Sequence, residues 1–140
     1  MEFISLLRVL ASTYQKFEKI SNAHVKTTGL TPAQFDVIVT LGNYYPMSCA
    51  ELGNRTLITK GTLTGVLERM EEKGLIQKEI NHADKRSMNI SLTNQGRQLF
   101  DFYFPEHAEY LNELFKKLTP KEIDEIKSSL LLLSKVFEKD

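Results

Sequence analysis

The sequence is 140 residues long, which is enough chain for one domain with an apolar core. Its 18 basic and 18 acidic residues balance, so net charge alone does not favour a nucleic-acid ligand. A single cysteine excludes an internal disulfide and a cysteine-based zinc site. No apolar run approaches the roughly 18 residues that a membrane-spanning helix needs, and the acidic residue at position 2 is untypical of a signal peptide. We therefore expect a soluble, cytoplasmic protein without a membrane partner.

Two helices are predicted at the start of the chain. The first has a narrow apolar face whose residues recur at steps of three and four: Phe3, Leu7, Leu10, Tyr14 and Phe17. It is expected to end near residues 28–29. The second is predicted to begin at Thr31-Pro32, an N-cap residue followed by proline, and to end at residues 44–46.

Two more helices are predicted in the middle of the chain. Ser48 and Glu51 have the spacing of a capping box, so a short helix is expected from Cys49 to about residue 55. Thr59 is a candidate cap for the next helix. The inward face of that helix repeats at i, i+3, i+4 and i+7, at positions 63, 66, 67 and 70, and Gly74 is expected to end it in the left-handed conformation.

Two short strands and two further helices complete the prediction. Residues 76–80 and 88–92 alternate in the manner of half-buried strands, joined by a loop over residues 81–87. Thr93 is expected to cap a long helix that Pro105 kinks or breaks. Thr119-Pro120 with Glu122 forms a predicted capping box for the last helix.

This order of elements predicts a mainly α fold with a small two- to three-stranded β wing. Residues 31–97 form the winged helix-turn-helix, and residues 1–28 and 98–140 form a helical dimerisation region within a single domain of residues 1–140. The apolar faces at the two chain ends could pack on each other within one chain. We favour a homodimer, because a short chain has little else to cover them.

The helix after Thr59 is the candidate DNA-recognition element. Its outward face begins with small or hydroxylic residues and one lysine: Thr59, Lys60, Gly61, Thr62, Thr64 and Gly65. A helix end that enters a groove about 12 Å wide must carry little bulk. Each glycine lowers helix stability by about 0.8–1 kcal/mol relative to alanine, so two glycines on one exposed face require a reason. Close approach to DNA is one such reason, and tolerated surface glycines are the alternative.

The loop between the strands is the second candidate element. Lys85 and Arg86 can reach phosphate or a minor groove, and Asp84 is close enough to orient Arg86. The alternative is a solvated hairpin tip whose charges only prevent edge pairing. Residues 48–97 hold eight basic and six acidic residues, whereas residues 98–140 hold six basic and nine acidic ones. This asymmetry suits a binding face on the middle segment.

Several short motifs together resemble the MarR family of transcriptional regulators. In chain order they are Ala50-Glu51-Leu52, Thr62-Leu63-Thr64, LERMEEKGLI, Asp84-Lys85-Arg86 and ISLTNQG. The resemblance extends over nearly the whole chain. It implies a homodimeric winged-helix protein that binds a pseudo-palindromic site near a promoter. Repression is preferred over activation. A small phenolic or lipophilic ligand is expected to release the protein from DNA.

The resemblance also assigns site residues. Family contacts from the wing correspond to Asp84 and Arg86, and those from the recognition helix to residues 59–65 and to Arg69. Family members often carry an arginine just after KGLI, where this chain has Gln77 and Lys78. The full predicted DNA-binding set is Ser48, Thr59, Lys60, Gly61, Thr62, Thr64, Gly65, Arg69, Lys78, Asp84, Lys85 and Arg86.

Aromatic residues could line an effector pocket, which the family places between its dimer helices and its winged domain. The candidates are Tyr14, Phe17, Phe35, Tyr44, Tyr45, Phe100 and Phe104, with ordinary core packing as the alternative for each.

Other chemistry is not indicated by the sequence. Cys49 is expected to be buried and unreactive rather than a redox sensor. The three histidines are far apart along the chain, and helix-surface charge is the simpler interpretation of Asp101, Glu106 and His107, so no metal site or cofactor is expected. No catalytic constellation is present, and the protein is not expected to be an enzyme. The remaining alternative is a winged-helix protein–protein interaction module without DNA binding, which the zero net charge and the missing arginine would suit.

Overall fold

The computed structural model describes residues 1–139 and contains six helices, one short 3-10 helix and three strands among them. In chain order these are α1 Glu2–Val25, the 3-10 helix Lys26–Thr28, α2 Pro32–Asn43, β1 Met47–Ser48, α3 Cys49–Arg55, α4 Lys60–Glu72, β2 Ile76–Ile80, β3 Met88–Leu92, α5 Asn94–Phe115 and α6 Pro120–Val136. The predicted order of helices and strands is confirmed, with β1 as an added short strand. This is a mainly helical winged-helix fold.

The chain divides into two compact units, with the boundary just after His107. The first unit contains α1 to α4, the sheet and the first part of α5. Its apolar core lies between α2, α3, α4 and the sheet, and the fully buried side chains include Ile38, Met47, Leu52, Leu63, Met70, Ile76 and Ile90. The second unit begins at Ala108 and contains the rest of α5 and α6.

Local sequence features account for the ends of most helices. Thr31 and Thr119 each form a complete capping box, with Gln34 and Glu122 respectively, and proline occupies the first turn in both helices. Gly74 follows α4 with φ 75°, a conformation that residues with a Cβ seldom adopt. The predicted helix starts at 32 and 120 are therefore confirmed with their physical cause.

The sheet is antiparallel in the order β1-β3-β2. Met47 pairs with Ile90, and β2 pairs with β3 from Ile76 opposite Leu92 to Ile80 opposite Met88. The prediction that both strands are half-buried is wrong for the outer end of the hairpin, because Ile80 is 61% exposed and Met88 is 45% exposed. The hairpin extends beyond β1, whose pairing stops at Ser48 opposite Asn89, so its outer end is a projecting ribbon.

Pro105 lies inside α5 without ending it, since the helix runs from Asn94 to Phe115. Of the two predicted effects of Pro105, the break is therefore wrong, and the kink stays a prediction. Proline removes one backbone donor, and a long helix can lose one hydrogen bond while the turns on either side continue. None of the helices within residues 1–139 is long and apolar enough to cross a membrane.

Candidate DNA-binding surface

The start of α3 is fixed by Ser48. Its Oγ accepts a hydrogen bond from the backbone N–H of Glu51 at 3.1 Å. The predicted capping box is only half formed, because the Glu51 carboxylate is occupied elsewhere. Tyr45 donates its hydroxyl to Glu51 Oε1 at 2.6 Å, and Arg55 Nε donates to the same oxygen at 3.2 Å. These two partners hold the pKa of Glu51 below its usual range, with the Tyr45 hydrogen bond as the larger cause.

The two faces of α4 differ as predicted. Leu63, Val66, Leu67 and Met70 are buried against the core. On the opposite face Gly65 is half-buried, and the other predicted residues are exposed: Thr59, Lys60, Gly61, Thr62 and Thr64. Thr59 is the N-cap residue of this helix, as predicted, but its side chain makes no capping hydrogen bond, because its hydroxyl bonds instead to the Thr62 hydroxyl at 3.1 Å. The first turn of α4 thus presents hydroxyls, one lysine and glycine to solvent.

Gly61 and Gly65 have no steric reason within this chain to be glycine. A Cβ at Gly61 would meet nothing within 4 Å, and a Cβ at Gly65 would meet Arg69 at 3.6 Å, which is an ordinary contact. Other glycines are required by packing: a Cβ at Gly42 would overlap the ring of Phe100, and one at Gly96 would overlap the carbonyl of Leu75. The two glycines of α4 leave a low surface that internal packing does not demand.

The wing loop is organised around its own polar side chains. Asp84 Oδ1 accepts hydrogen bonds from the backbone N–H of Arg86 at 3.1 Å and from Arg86 Nε at 3.5 Å. The expected contact between this acid and this cation is therefore present, although the Arg86 side chain is 95% exposed. Lys85 is exposed beside it. The loop thus carries two solvent-facing cations, one of them held by a carboxylate.

Asn81 is a structural residue of the wing that the sequence interpretation missed. Its Oδ1 accepts hydrogen bonds from the backbone N–H of Ala83 at 3.0 Å and of Asp84 at 3.3 Å. An asparagine at a strand end followed by a polar loop is a known indicator of such a turn, and it could have been recognised. This turn determines the backbone position of Asp84, and through it that of Arg86.

Lys78 belongs to strand β2 of the wing, and Arg69 belongs to the recognition helix α4. Lys78 Nζ on β2 is 3.8 Å from Glu71 Oε1 on α4, so this exposed ion pair joins the two candidate DNA-binding elements. The guanidinium of Arg69 lies near Gly65 on the outer surface of α4.

An open cleft of about 720 Å³ lies between the start of α3 and the wing. It brings three predicted site residues, Ser48, Lys78 and Asp84, to one concavity. Cys49 also lines this cleft and is exposed, so the expectation of a buried cysteine is wrong. The reason is that Cys49 occupies the first turn of α3, where the inward position belongs to Leu52.

The aromatic residues proposed for an effector pocket lie in several separate contacts. Tyr14 pairs with Phe17 at 6.2 Å between ring centroids, Phe100 stacks on Phe104 at 5.0 Å, and Phe35 meets His107 edge-on at 4.9 Å. At the C-terminal end of α2, the guanidinium of Arg55 lies 4.4 Å from the centre of the Tyr44 ring and donates a hydrogen bond to the Tyr45 hydroxyl. All but Phe35 keep part of their surface accessible.

Two histidines that are distant in sequence meet in the fold. His24 Nδ1 and His107 Nδ1 are 2.8 Å apart, and Ser21 Oγ is 3.3 Å from His107 Nε2. His107 is only 5% exposed, and burial together with the charge of His24 lowers its pKa. Within residues 1–139 no group of three or more His, Cys, Asp or Glu side chains could hold a metal ion. Asp101 and Glu106 are exposed on α5.

Comparison with known proteins places this arrangement in a family. The model of the MarR family matches residues 30–88. The uncharacterized HTH-type transcriptional regulator YkoM of Bacillus subtilis is 30% identical over 132 residues, which cover 94% of this chain and 84% of YkoM. The chain belongs to the MarR family. It is accordingly a DNA-binding transcription regulator and not an enzyme.

Two solved structures have the same fold. BpsR of Bordetella bronchiseptica, described for the regulation of its DNA binding by 6-hydroxynicotinic acid, is 30% identical with a TM-score of 0.74, covering 95% of this chain and 93% of BpsR. Sco3205 of Streptomyces coelicolor, solved in complex with DNA, has a TM-score of 0.84 at 19% identity, covering 99% of this chain and 93% of Sco3205. At that lower identity the likeness to Sco3205 shows the fold alone.

Proposed function

We propose that this MarR-family regulator binds a pseudo-palindromic operator as a homodimer, represses transcription, and is released by a small phenolic or lipophilic effector. The observation that carries the proposal is the exposed first half of α4. It combines hydroxyls, a lysine and two glycines that no internal contact requires, beside a wing with an oriented arginine. That combination suits one helix end in a major groove and one loop on the backbone beside it.

The recognition helix supplies the sequence-reading part of this proposal. Hydroxyls of Thr59, Thr62 and Thr64 can donate to and accept from base edges, and Lys60 can donate to guanine. Gly61 and Gly65 allow the helix backbone to lie close to the groove walls. Arg69, farther along the exposed face, is proposed to contact the backbone of the duplex.

The wing supplies the position along the duplex. Arg86 and Lys85 are proposed to contact phosphates or the minor groove, with Asp84 holding the guanidinium in its orientation. Ser48 and Lys78, on the cleft between α3 and the wing, are proposed as further phosphate contacts. Lys78 would replace the arginine that many family members have after KGLI, although its pairing with Glu71 restrains it.

The homodimer is supported by apolar surface at both chain ends. On α1 the residues Phe3, Leu7 and Leu10 are between 36% and 55% exposed. In the second unit an apolar groove of about 440 Å³ lies between the end of α5 and α6, lined by Phe115, Leu118, Ile123, Ile126, Leu130, Leu131 and neighbouring residues. Exposed apolar surface on this scale marks an interaction site, and a second copy of the chain is the proposed occupant. Residues 1–28 and 98–140 are thus proposed as the dimerisation region and residues 31–97 as the DNA-binding region.

Effector release is supported by the relative with known regulation. BpsR, whose DNA binding is regulated by 6-hydroxynicotinic acid, shares 30% identity with this chain. An aromatic ligand of that type would suit the partly accessible aromatic side chains Tyr14, Phe17, Phe100 and Phe104. Repression follows if the operator overlaps the promoter, so that bound protein excludes the polymerase.

The experiment is a gel shift followed by a DNase footprint on the DNA upstream of the protein's own gene. We expect a protected site with two half-sites about one helical turn, roughly 10 base pairs, apart from centre to centre, or a multiple of that spacing. The proposal would be overturned if random-sequence competitor DNA abolished all protection, because the protein would then have no specific site. That result would favour the protein–protein interaction module instead.

A further inference from the structure

Asp36 connects α2 to the turn that precedes the recognition helix. Its Oδ2 accepts a hydrogen bond from the backbone N–H of Leu57 at 3.0 Å. Its Oδ1 accepts a weaker one from the hydroxyl of Thr40, one helical turn along, at 3.5 Å. Leu57 directly follows Thr56, the C-cap of α3, and lies two residues before Thr59, the N-cap of α4. The carboxylate therefore holds the backbone at the centre of the helix-turn-helix.

The turn between α3 and α4 has few other means of being fixed. The side chain of Leu57 is 77% exposed and does not pack into the core. Thr59 does not cap α4 with its side chain. Of the turn residues, Ile58 packs against the core as a partly buried side chain. Thr56 is anchored by its N–H and hydroxyl, which both donate to the Leu52 carbonyl. Beyond Thr56, the apolar contact of Ile58 and the hydrogen bond that the Leu57 N–H donates to Asp36 hold the residues that precede the first turn of α4.

The choice of a carboxylate at this position works against DNA binding by charge alone. Asp36 is half-buried, and it forms no ion pair with another side chain among residues 1–139. Burial raises its pKa, whereas the hydrogen bonds from Leu57 and Thr40 lower it. A negative charge in a protein that binds a polyanion weakens association through long-range repulsion. The acceptor role of the side chain must therefore outweigh this repulsion if the residue serves DNA binding.

We propose that Asp36 is a positioning residue for DNA recognition, whose carboxylate holds the Leu57 amide and thereby fixes the entry of α4 into the groove. The inference rests on the proposed function, since it takes α4 as the helix that reads the operator. It assigns a role to a residue that does not itself reach DNA.

Two substitutions at Asp36 separate the hydrogen bond from the charge. Asp36→Ala and Asp36→Asn both remove the negative charge, but only asparagine keeps an oxygen able to accept from the Leu57 N–H. Asp101→Ala is the matched control, because Asp101 is an exposed carboxylate on α5 and its removal changes the net charge by the same amount. If charge alone mattered, all three variants would bind DNA as tightly as the wild type or slightly more tightly.

We expect Asp36→Ala to bind the footprinted operator about tenfold more weakly than the wild type, which is the order expected for one lost hydrogen bond to a charged group. Asp36→Asn should stay within about threefold, and Asp101→Ala should bind at least as tightly as the wild type. The loss in Asp36→Ala should be larger for operator than for random-sequence DNA, at a temperature well below the melting temperature of every variant. The dependence of affinity on salt should be unchanged, because no phosphate contact is removed.

A second measurement on the free protein reports the contact directly. Hydrogen exchange of the Leu57 amide should accelerate in Asp36→Ala and remain slow in Asp36→Asn. The inference is overturned if Asp36→Ala binds the operator as tightly as Asp36→Asn, or if exchange at Leu57 is the same in both. A wild-type protein that binds no DNA specifically would overturn the proposed function as well, and that outcome is recognised before any variant is compared.

Discussion

Arg86 and Asp84 have different roles at the tip of the wing. Arg86 supplies a cation that is 95% exposed, and Asp84 restrains it through Oδ1. Lys85 supplies a second cation without the planar fork of a guanidinium. Both the charge and its orientation are therefore expected to matter, in separable ways.

We predict that Arg86→Ala lowers operator affinity most and flattens the slope of log K against log salt by about one unit per wing, roughly two for a dimer. Asp84→Ala should weaken binding but change the slope less, because the cation remains. Lys85→Ala should have a milder effect than Arg86→Ala. These are exposed positions, so stability should change by less than about 0.5 kcal/mol. Binding titrations across a salt series check all three, and an Arg86→Ala protein that matches the wild type at every salt concentration would assign the wing no role.

Substitutions at Gly65 are expected to affect helix stability and DNA binding in opposite directions. A Cβ at this position would meet Arg69 at an ordinary distance, so Gly65→Leu should leave the melting temperature unchanged or raise it, as leucine favours a helix by up to about 1 kcal/mol over glycine. Specific DNA binding should nevertheless be lost, because the added bulk lies on the proposed groove face. Gly65→Ala is the control, with a similar gain in stability and a smaller loss of affinity. Normal operator binding by Gly65→Leu would show that another face reads DNA.

At the scale of elements, the junction of α1 with α5 contains a titratable contact. His107 is buried against His24, Ser21 and Phe35, and its pKa is lowered, chiefly by burial. At mildly acidic pH the unfolded chain therefore binds more protons than the folded one. The stability contributed by neutral His107 is present above the unfolded pKa of about 6.5 and is lost as the pH falls through the lower folded value.

We predict that the free energy of unfolding decreases between about pH 7 and 5, with His107 contributing a slope of at most about 1.4 kcal/mol per pH unit. His107→Gln should make this dependence shallower, even if it lowers stability at pH 7. His82→Gln, at an exposed wing position, is the control for the loss of an imidazole. Urea unfolding at a series of pH values measures the free energy of unfolding. Parallel plots of this free energy against pH for the wild type and His107→Gln would contradict the role given to His107.

Much of the element order could be predicted because local rules determine it. Thr31, Thr119 and Gly74 act within one turn of their own helix, and the alternation of buried residues in α4 needs only a core on one side. Some misses arise because side chains outside a motif compete for one of its members. Glu51 failed to complete its capping box because Tyr45 and Arg55 bind it.

The same distinction holds for the candidate site. The exposed face of α4 and the wing cations followed from periodicity and from the family motifs. The Asp36–Leu57 hydrogen bond joins residues 21 apart, and the His24–His107 contact joins residues 83 apart, so neither can be read from spacing along the chain. The exposure of Ile80 and Met88 depends on how far β1 extends beside the hairpin, which local alternation does not specify.

At the scale of the whole molecule, the proposed homodimer depends on the apolar face of α1. We predict that deleting residues 1–12 gives monomers or aggregates, and that Leu7→Asp gives the same result with a single change. Ser5→Asp is the matched control, since Ser5 lies two residues from both Phe3 and Leu7 and so on the opposite side of the helix, and it adds the same charge. Sedimentation velocity distinguishes the species, and a truncated protein that remains a clean dimer would contradict the proposed interface.

In the proposed complex, two copies of this chain place two recognition helices on one operator. The most direct measurement is the stoichiometry of the specific complex, determined by sedimentation of the wild-type protein with a duplex that contains a single footprinted site. We predict two chains per duplex, with Leu7→Asp failing to form this complex at the same concentration. A saturated specific complex with one chain per duplex would contradict the claim.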